Sequence, residues 1–268
     1  MRTTLSLFGI IISRIAYMFG TRKAVTIENL TNAFPELSIS KQKEIIKKAY
    51  RNLGIVFAEM IFLRFASHKN IAKHISISNP EIFHKYFARN KGLIVVAAHF
   101  ANWEWLALGG ALILNENFAI VRKNIRTSFA ERFLERMRKR TGNSLINAGD
   151  IRKMYRVLQG GGCIALLADQ SAPGESVRVE FFGHAVPTFE GPARLALRTR
   201  APMLFAKCLR KENSDYIITF YPIDYGDLIN DSYGNIRELT SRHTQILEKI
   251  IRDHPDQWLW QHRRWKNV

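Results

Sequence analysis

Residues 93–104 read Leu93-Ile94-Val95-Val96-Ala97-Ala98-His99-Phe100-Ala101-Asn102-Trp103-Glu104. The first six form a continuous apolar run, rich in β-branched residues and preceded by Gly92. That is the pattern of a strand buried on both faces. From Asn102 the reading becomes helical as far as Leu114, with Asn102 suited to cap the helix. A doubly buried strand leading straight into a helix belongs to a parallel sheet covered by helices. His99 then falls just past the strand's carboxyl end, where open α/β sheets bind their ligands.

The same alternation extends outward in both directions. Ile45, Ile46, Tyr50, Leu53 and Phe57 recur at helical spacing and predict a helix over 40–65, capped by Ser38 or Ser40. Short strands are expected at 118–121 and 145–146, a basic helix at 127–140 and a further helix at 150–159. Gly160-Gly161-Gly162 breaks that helix and opens a second buried strand, 163–168, which ends at Asp169-Gln170. Because the triple glycine precedes a strand, it reads as a turn and not as a phosphate loop. Helices at 190–200 and 237–252 and strands at 202–209 and 216–221 complete the reading. The expected fold is α/β, a mostly parallel central sheet flanked by helices. It forms one domain over 22–268, with an N-terminal membrane-associating helix over 1–21.

Charge narrows the partners. Against 23 Asp and Glu stand 40 Lys and Arg, a formal net charge of +17 over 268 residues. That excess calls for an anionic partner: nucleic acid, an anionic bilayer or an acidic carrier. No helix-turn-helix, zinc-finger or aromatic RNA-binding pattern is present, which sets nucleic acid aside. The two cysteines, Cys163 and Cys208, lie inside apolar runs and read as buried free thiols of a reducing compartment. The other seven histidines are scattered without zinc-site spacing, so no metal is expected.

The apolar stretch from Leu5 to Phe19 is short of the roughly 20 residues that cross a bilayer. Arg2, Arg14, Arg22 and Lys23 lie within or around it. It fits a helix lying on an anionic surface, with a helix packed on the protein's own core as the other reading.

Chemistry concentrates at His99 and Glu104. Five residues apart across a turn, the carboxylate can return to one ring nitrogen, fix the tautomer and leave the other nitrogen as a base. A histidine near a carboxylate is common, so the spacing alone leaves a structural histidine open.

Several ordered blocks add to this. Ala97-Ala98-His99-Phe100-Ala101-Asn102-Trp103-Glu104-Trp105 resembles the H-x4-D/E motif of the glycerolipid acyltransferase superfamily. Its form is similar to that of the lauroyl and myristoyl transferases of lipid A biosynthesis. Residues 22–59, with Asn29-Leu30 and Phe34-Pro35-Glu36, resemble that family's N-terminal signature. Val121-Arg122-Lys123, then Asp169-Gln170 through Phe181-Phe182-Gly183 to Thr188 and Gly191, and the closing Trp260 to Lys266 resemble further family blocks. Phe189-Glu190-Gly191-Pro192 also partly resembles a block of glycerol-3-phosphate-type enzymes, so the acceptor stays open.

The resemblance implies an O-acyltransferase without cofactor. It would act at the cytoplasmic face of the inner membrane, moving an acyl group from acyl carrier protein, or coenzyme A, to a lipid A precursor. His99 would be the general base and Glu104 its orienter, with direct transfer and no acyl-enzyme. Asn102, Arg122, Arg138, Arg140, Asp169, Gln170, Thr188, Glu190 and Arg194 are the expected substrate-binding residues. Arg122 would hold a phosphate, and Asp169 would orient a backbone group or an arginine. Arg263, Arg264 and Lys266, beside Trp258, Trp260 and Trp265, read as an interfacial patch or a packed C-terminal plug. The alternatives are a transferase acting on another glycolipid or lysophospholipid, and a basic lipid-binding protein without catalysis.

Overall fold

The computed structural model describes residues 2–123, 128–172, 174 and 176–266, the side chains of residues 2, 3 and 128 aside. Helix α1 (Arg2–Met18) is followed by α2 (Lys23–Ala33) and the long α3 (Ile39–Phe65), whose first turn the Ser38 hydroxyl caps by accepting from the Lys41 N–H. Then come α4 (His68–Ala72), β1 (Ile75–Ile77) and α5 (Pro80–Phe87). The decisive stretch supplies β2 (Leu93–Ala97) and α6 (Trp103–Leu114), and β3 (Phe118–Arg122) follows. Helix α7 (Ser128–Arg138), β4 (Ser144–Asn147), α8 (Ile151–Gln159) and β5 (Cys163–Leu167) come next. A hairpin of β6 (Ser176–Phe181) and β7 (His184–Phe189) precedes α9 (Gly191–Thr199). The chain closes with β8 (Met203–Arg210), β9 (Tyr216–Ile223) and α10 (Tyr233–Asp253).

Among the described residues, seven strands form the central sheet in the order β1-β9-β8-β2-β5-β3-β4. Strands β8, β2, β5, β3 and β4 run parallel, whereas the β8–β9 pair is antiparallel and β1 lies parallel to β9. The expected mostly parallel sheet is therefore present, with two reversed strands at one edge. Strand β2 sits near the middle and every one of its residues is buried, as its unbroken apolar run requires. Gly92 starts it at φ 69, and a Cβ there would lie 2.7 Å from the Leu158 backbone. The β2–α6–β3 and β4–α8–β5 connections run in opposite directions along the sheet, which with the usual right-handed crossover puts α6 and α8 on opposite faces.

The sequence reading did not include α2, α4, α5, the edge strand β1 or the two strands of the β6–β7 hairpin. Strand β1 has only three residues, too few to establish a period. The expected basic helix begins at Thr127, which lies outside the described residues.

The N-terminal helix packs one face on the protein's own α3 and leaves the other face exposed. Helix α1 runs antiparallel to α3, and a Cβ at Gly9 would come within 2.9 Å of the Ala58 methyl. Tyr17 meets Tyr50 edge-on at 5.3 Å. The outward face keeps Leu7, Phe8, Ile11, Ile12 and Ile15 about half exposed, between 48% and 58%. Phe57, Ile61 and Phe65 on α3, spaced by four, are exposed as well. Among the described residues no single helix is long and apolar enough to cross a membrane. Taken together, α1 and α2 have that length and composition, but they are bent by 90°.

Candidate functional site

The turn from β2 into α6 is held from three sides. Ala101 adopts the left-handed φ of 46, unfavourable for a residue with a Cβ. Its N–H donates to the Gln257 carbonyl at 2.7 Å, and Gln257 also receives from Asn52 Nδ2 at 3.3 Å. Asn102 caps α6 by accepting from the N–H groups of Glu104 and Trp105. Its own Nδ2 donates to Glu59, a fully buried carboxylate on α3 that also accepts from Trp105 Nε1 and the Tyr216 hydroxyl. A strained turn is thereby fixed by buried hydrogen bonds, which keeps His99 in one place.

His99 itself is oriented by Asp169, at the carboxyl end of β5. One oxygen of that carboxylate accepts from ring Nδ1 at 2.8 Å, and the other accepts from the His99 backbone N–H at 3.0 Å. Trp258 Nε1 donates to Asp169 Oδ2 at 3.0 Å, so the carboxylate is gripped on both oxygens. Burial alone would push its pKa up. The imidazole beside it, with the Trp258 and backbone N–H groups, outweighs burial and holds it below the usual value. Among the described residues, Nε2 of His99 has no hydrogen-bonding partner. Trp103 meets the imidazole edge-on, with centroids 4.8 Å apart.

The expected pairing of His99 with Glu104 is therefore not the one the side chains make. Glu104, 1% exposed, is bound in two places by Arg138: Nε donates at 2.9 Å and Nη2 at 2.5 Å. The reason is geometric. Asn102 turns the helix so that Glu104 faces the neighbouring α7, while Asp169 arrives beside His99 along the adjacent parallel strand. Burial of Arg138 lowers its pKa, but the attached carboxylate prevails and raises it.

His99, Glu104, Arg122, Arg138, Gln170, Glu190 and Arg194 all line one cavity of about 660 Å³, otherwise walled mainly by aliphatic and aromatic side chains. Arg122 pairs with Glu131 at its rim, and Arg194 pairs with Glu190 at 2.5 Å. Asn102, Asp169 and Thr188 stand behind the wall; Thr188 is buried and receives Arg264 Nη2 at 2.5 Å. Arg140 is elsewhere. Its guanidinium donates to the Leu63 and Ala66 carbonyls at 2.6 and 2.7 Å, closing the end of α3.

The C-terminal segment is a plug. Trp258, Trp260, Trp265 and Arg264 are buried, Leu259 N–H donates to the His99 carbonyl, and Asn29 Nδ2 donates to the Trp260 carbonyl at 2.7 Å. Asn29, in the N-terminal block, thus ties the two ends of the chain together behind the site. The role of Trp258 was missed: nothing in its local sequence marks it as a partner of an aspartate 89 residues away.

No group of three or more His, Cys, Asp or Glu residues among the described residues is arranged to hold a metal. What remains is a carboxylate-oriented imidazole with one open nitrogen, at the head of a largely apolar cavity with an arginine beside it. That set can remove a proton from an alcohol next to a bound alkyl chain.

Comparison with known proteins gives the family. The family model for bacterial lipid A biosynthesis acyltransferases matches residues 3–267. The chain is 25% identical over 249 residues to the lipid A biosynthesis palmitoleoyltransferase of Escherichia coli (strain K12), covering 91% of this chain and 79% of that protein. It is 23% identical over 259 residues to that organism's lipid A biosynthesis lauroyltransferase, covering 95% and 83%. A phosphatidylinositol mannoside acyltransferase of Mycobacterium tuberculosis (strain ATCC 25618 / H37Rv) is 22% identical over 221 residues, covering 79% and 67%. The chain belongs to the bacterial lipid A biosynthesis acyltransferase family, and is an O-acyltransferase.

Proposed function

We propose that the enzyme moves a fatty acyl group from acyl carrier protein to a hydroxyl of a lipid A precursor, working from the cytoplasmic face of the inner membrane. The observation that carries the reading is the His99 imidazole, clamped at Nδ1 by Asp169 and facing an apolar cavity with its other edge. An alcohol is a poor nucleophile until a base takes its proton. Nε2 takes that proton as the oxygen attacks the thioester carbon, and Asp169 stabilises the imidazolium that forms. Two of Arg138's N–H groups bind Glu104, and the guanidinium has others to offer the developing oxyanion. The tetrahedral intermediate then expels the carrier's thiolate, which recovers the proton from the imidazolium. Ester and free carrier thiol are the products, and no acyl-enzyme is formed.

Two features support a membrane-surface setting. The outward faces of α1 and α3 present exposed aliphatic and aromatic rows, and the chain's +17 charge suits both anionic lipid and an acidic carrier. Residues 1–21 serve as the contact with the bilayer, and residues 22–268 as the catalytic domain.

The test is direct. Purified enzyme is given lauroyl-acyl carrier protein or lauroyl-coenzyme A with a lipid A precursor, and with phosphatidylinositol mannoside as the rival acceptor. Mass spectrometry of the lipid should show one added acyl group on the lipid A precursor, faster from the carrier protein. Acylation of only the mannoside, or a stable acyl-protein adduct, overturns the reading.

A further inference from the structure

Strand register divides the cavity in two. Successive residues of a strand point to opposite faces of the sheet. Val95 and Ala97 of β2 register with Ala165 and Leu167 of β5, and Ala165 with Ile120 of β3. These cavity-lining side chains therefore share the face on which His99 continues the alternation, the face covered by α6. Leu166, between two of them, points to the other face, yet it lines the same cavity together with Met154 of α8 and Leu195 of α9. The cavity thus has two apolar branches that meet at the carboxyl ends of β2 and β5, one under α6 and one between α8 and α9.

The branches differ in shape. Under α6, Ala107 and Gly110 keep the helix side low, and the branch reaches Phe118 and Phe220. A Cβ on Gly110 would already touch the Phe118 ring at 3.4 Å, and Phe83 backs both rings, which closes the end. Such a blind slot suits one unbranched chain. Between α8 and α9 the inner walls, Met154, Leu166 and Leu195, are buried, whereas Ile151 at the rim is 51% exposed. This branch opens outward, with Arg194 and Arg198 along it.

We propose that the α8–α9 branch seats the acceptor's own hydroxyl-bearing acyl chain, while the slot under α6 holds the donor chain. The inference rests on the direct transfer proposed above, which requires both chains to be present at once. A hydroxyacyl acceptor needs an apolar seat beyond its hydroxyl, yet its polar head is too large to enter. An outward-opening branch meets both needs; a blind slot meets only the donor's. Each chain then approaches His99 from its own face of the sheet, and the hydroxyl oxygen meets the thioester carbon at the strand ends.

The experiment uses the full chain and two photo-reactive probes, each with a diazirine at its chain terminus. One is a lauroyl-type acyl-coenzyme A, the other a lipid A precursor modified on its hydroxyacyl chain. Peptide mapping should place the acceptor label on the segments holding Met154 and Leu195, and the donor label on those holding Gly110 and Phe118. In steady-state assays Leu195→Trp should raise KM for the acceptor at least tenfold with donor KM changed less than twofold. Gly110→Leu should instead shift the preferred donor to shorter chains. Both labels in the slot under α6, or a Leu195→Trp effect on donor length, overturn the assignment. Labelling needs no turnover, so a trapped acyl-enzyme would sink the direct-transfer reading by itself, while the label positions decide the two-branch assignment.

Discussion

The Asp169 carboxylate binds His99 twice, through ring Nδ1 at 2.8 Å and through the backbone N–H at 3.0 Å. One group thereby sets both the position and the tautomer of the imidazole, directing its open nitrogen to the cavity. Replacing it by the isosteric amide keeps the shape and loses the charge. Asp169→Asn should lower kcat by about 10²- to 10⁴-fold with the fold intact. A variant with near-normal kcat and an unchanged circular dichroism spectrum would rule out this role.

Glu104 and Arg138 form a nearly buried ion pair, and removing one partner strands the other's charge. Arg138→Ala should cost about 3–5 kcal/mol of stability in denaturant unfolding. The double variant Glu104→Gln/Arg138→Met should recover most of that loss without restoring activity. Additive losses in the double-mutant cycle would show that the two groups are not coupled.

Helix α1 docks through small residues. A Cβ on Gly54 would lie 2.6 Å from the Ser13 Cβ and even closer to the Gly9 backbone. Overpacking there is expected to cost roughly 1–3 kcal/mol or to undock α1. Gly54→Leu should therefore expose the N-terminal helix to limited proteolysis, whereas Gly149→Ala, with open space around it, should not. Equal protease resistance in both variants would contradict the close crossing.

His243 is buried on α10, and burial, aided by the Arg264 charge, pulls its pKa down to about 4. Between the ordinary value near 6.5 and 4, the unfolded chain binds a proton that the native protein refuses. Its contribution to stability is therefore intact above about pH 6.5 and declines as pH falls, by about 3 kcal/mol over the window. His243→Leu should flatten the unfolding free energy between pH 7 and 4.5 by most of that amount. An unchanged slope would mean that the imidazole titrates normally.

Cys163 and Cys208 are both buried, and burial pushes both thiols well up. Iodoacetamide should label neither in the folded enzyme at pH 8, and transfer should survive prolonged treatment. Rapid inactivation would instead point to a thiol nucleophile.

The architecture was legible because local pattern suffices for it. The unbroken apolar runs at 93–98 and 163–168 could only be central strands, and Asn102 and Asp150 marked helix starts that the structure keeps. His99 could be placed at a strand end for the same reason. Strand β1 and the hairpin were not legible, because three residues hold no period and β7 carries Pro187, which argues against a strand.

The partnership of His99 was decided only in three dimensions. By sequence the nearest carboxylate was Glu104, five residues on, but a helix cap turned it toward Arg138. Asp169, seventy residues away, arrives on the neighbouring strand because β2 and β5 pair in parallel and end together. The chain's order therefore determined which residues are apolar, which turn and which titrate. Only strand pairing decided which charges meet, because register brings distant strand ends within hydrogen-bond reach while a short turn can carry near neighbours apart.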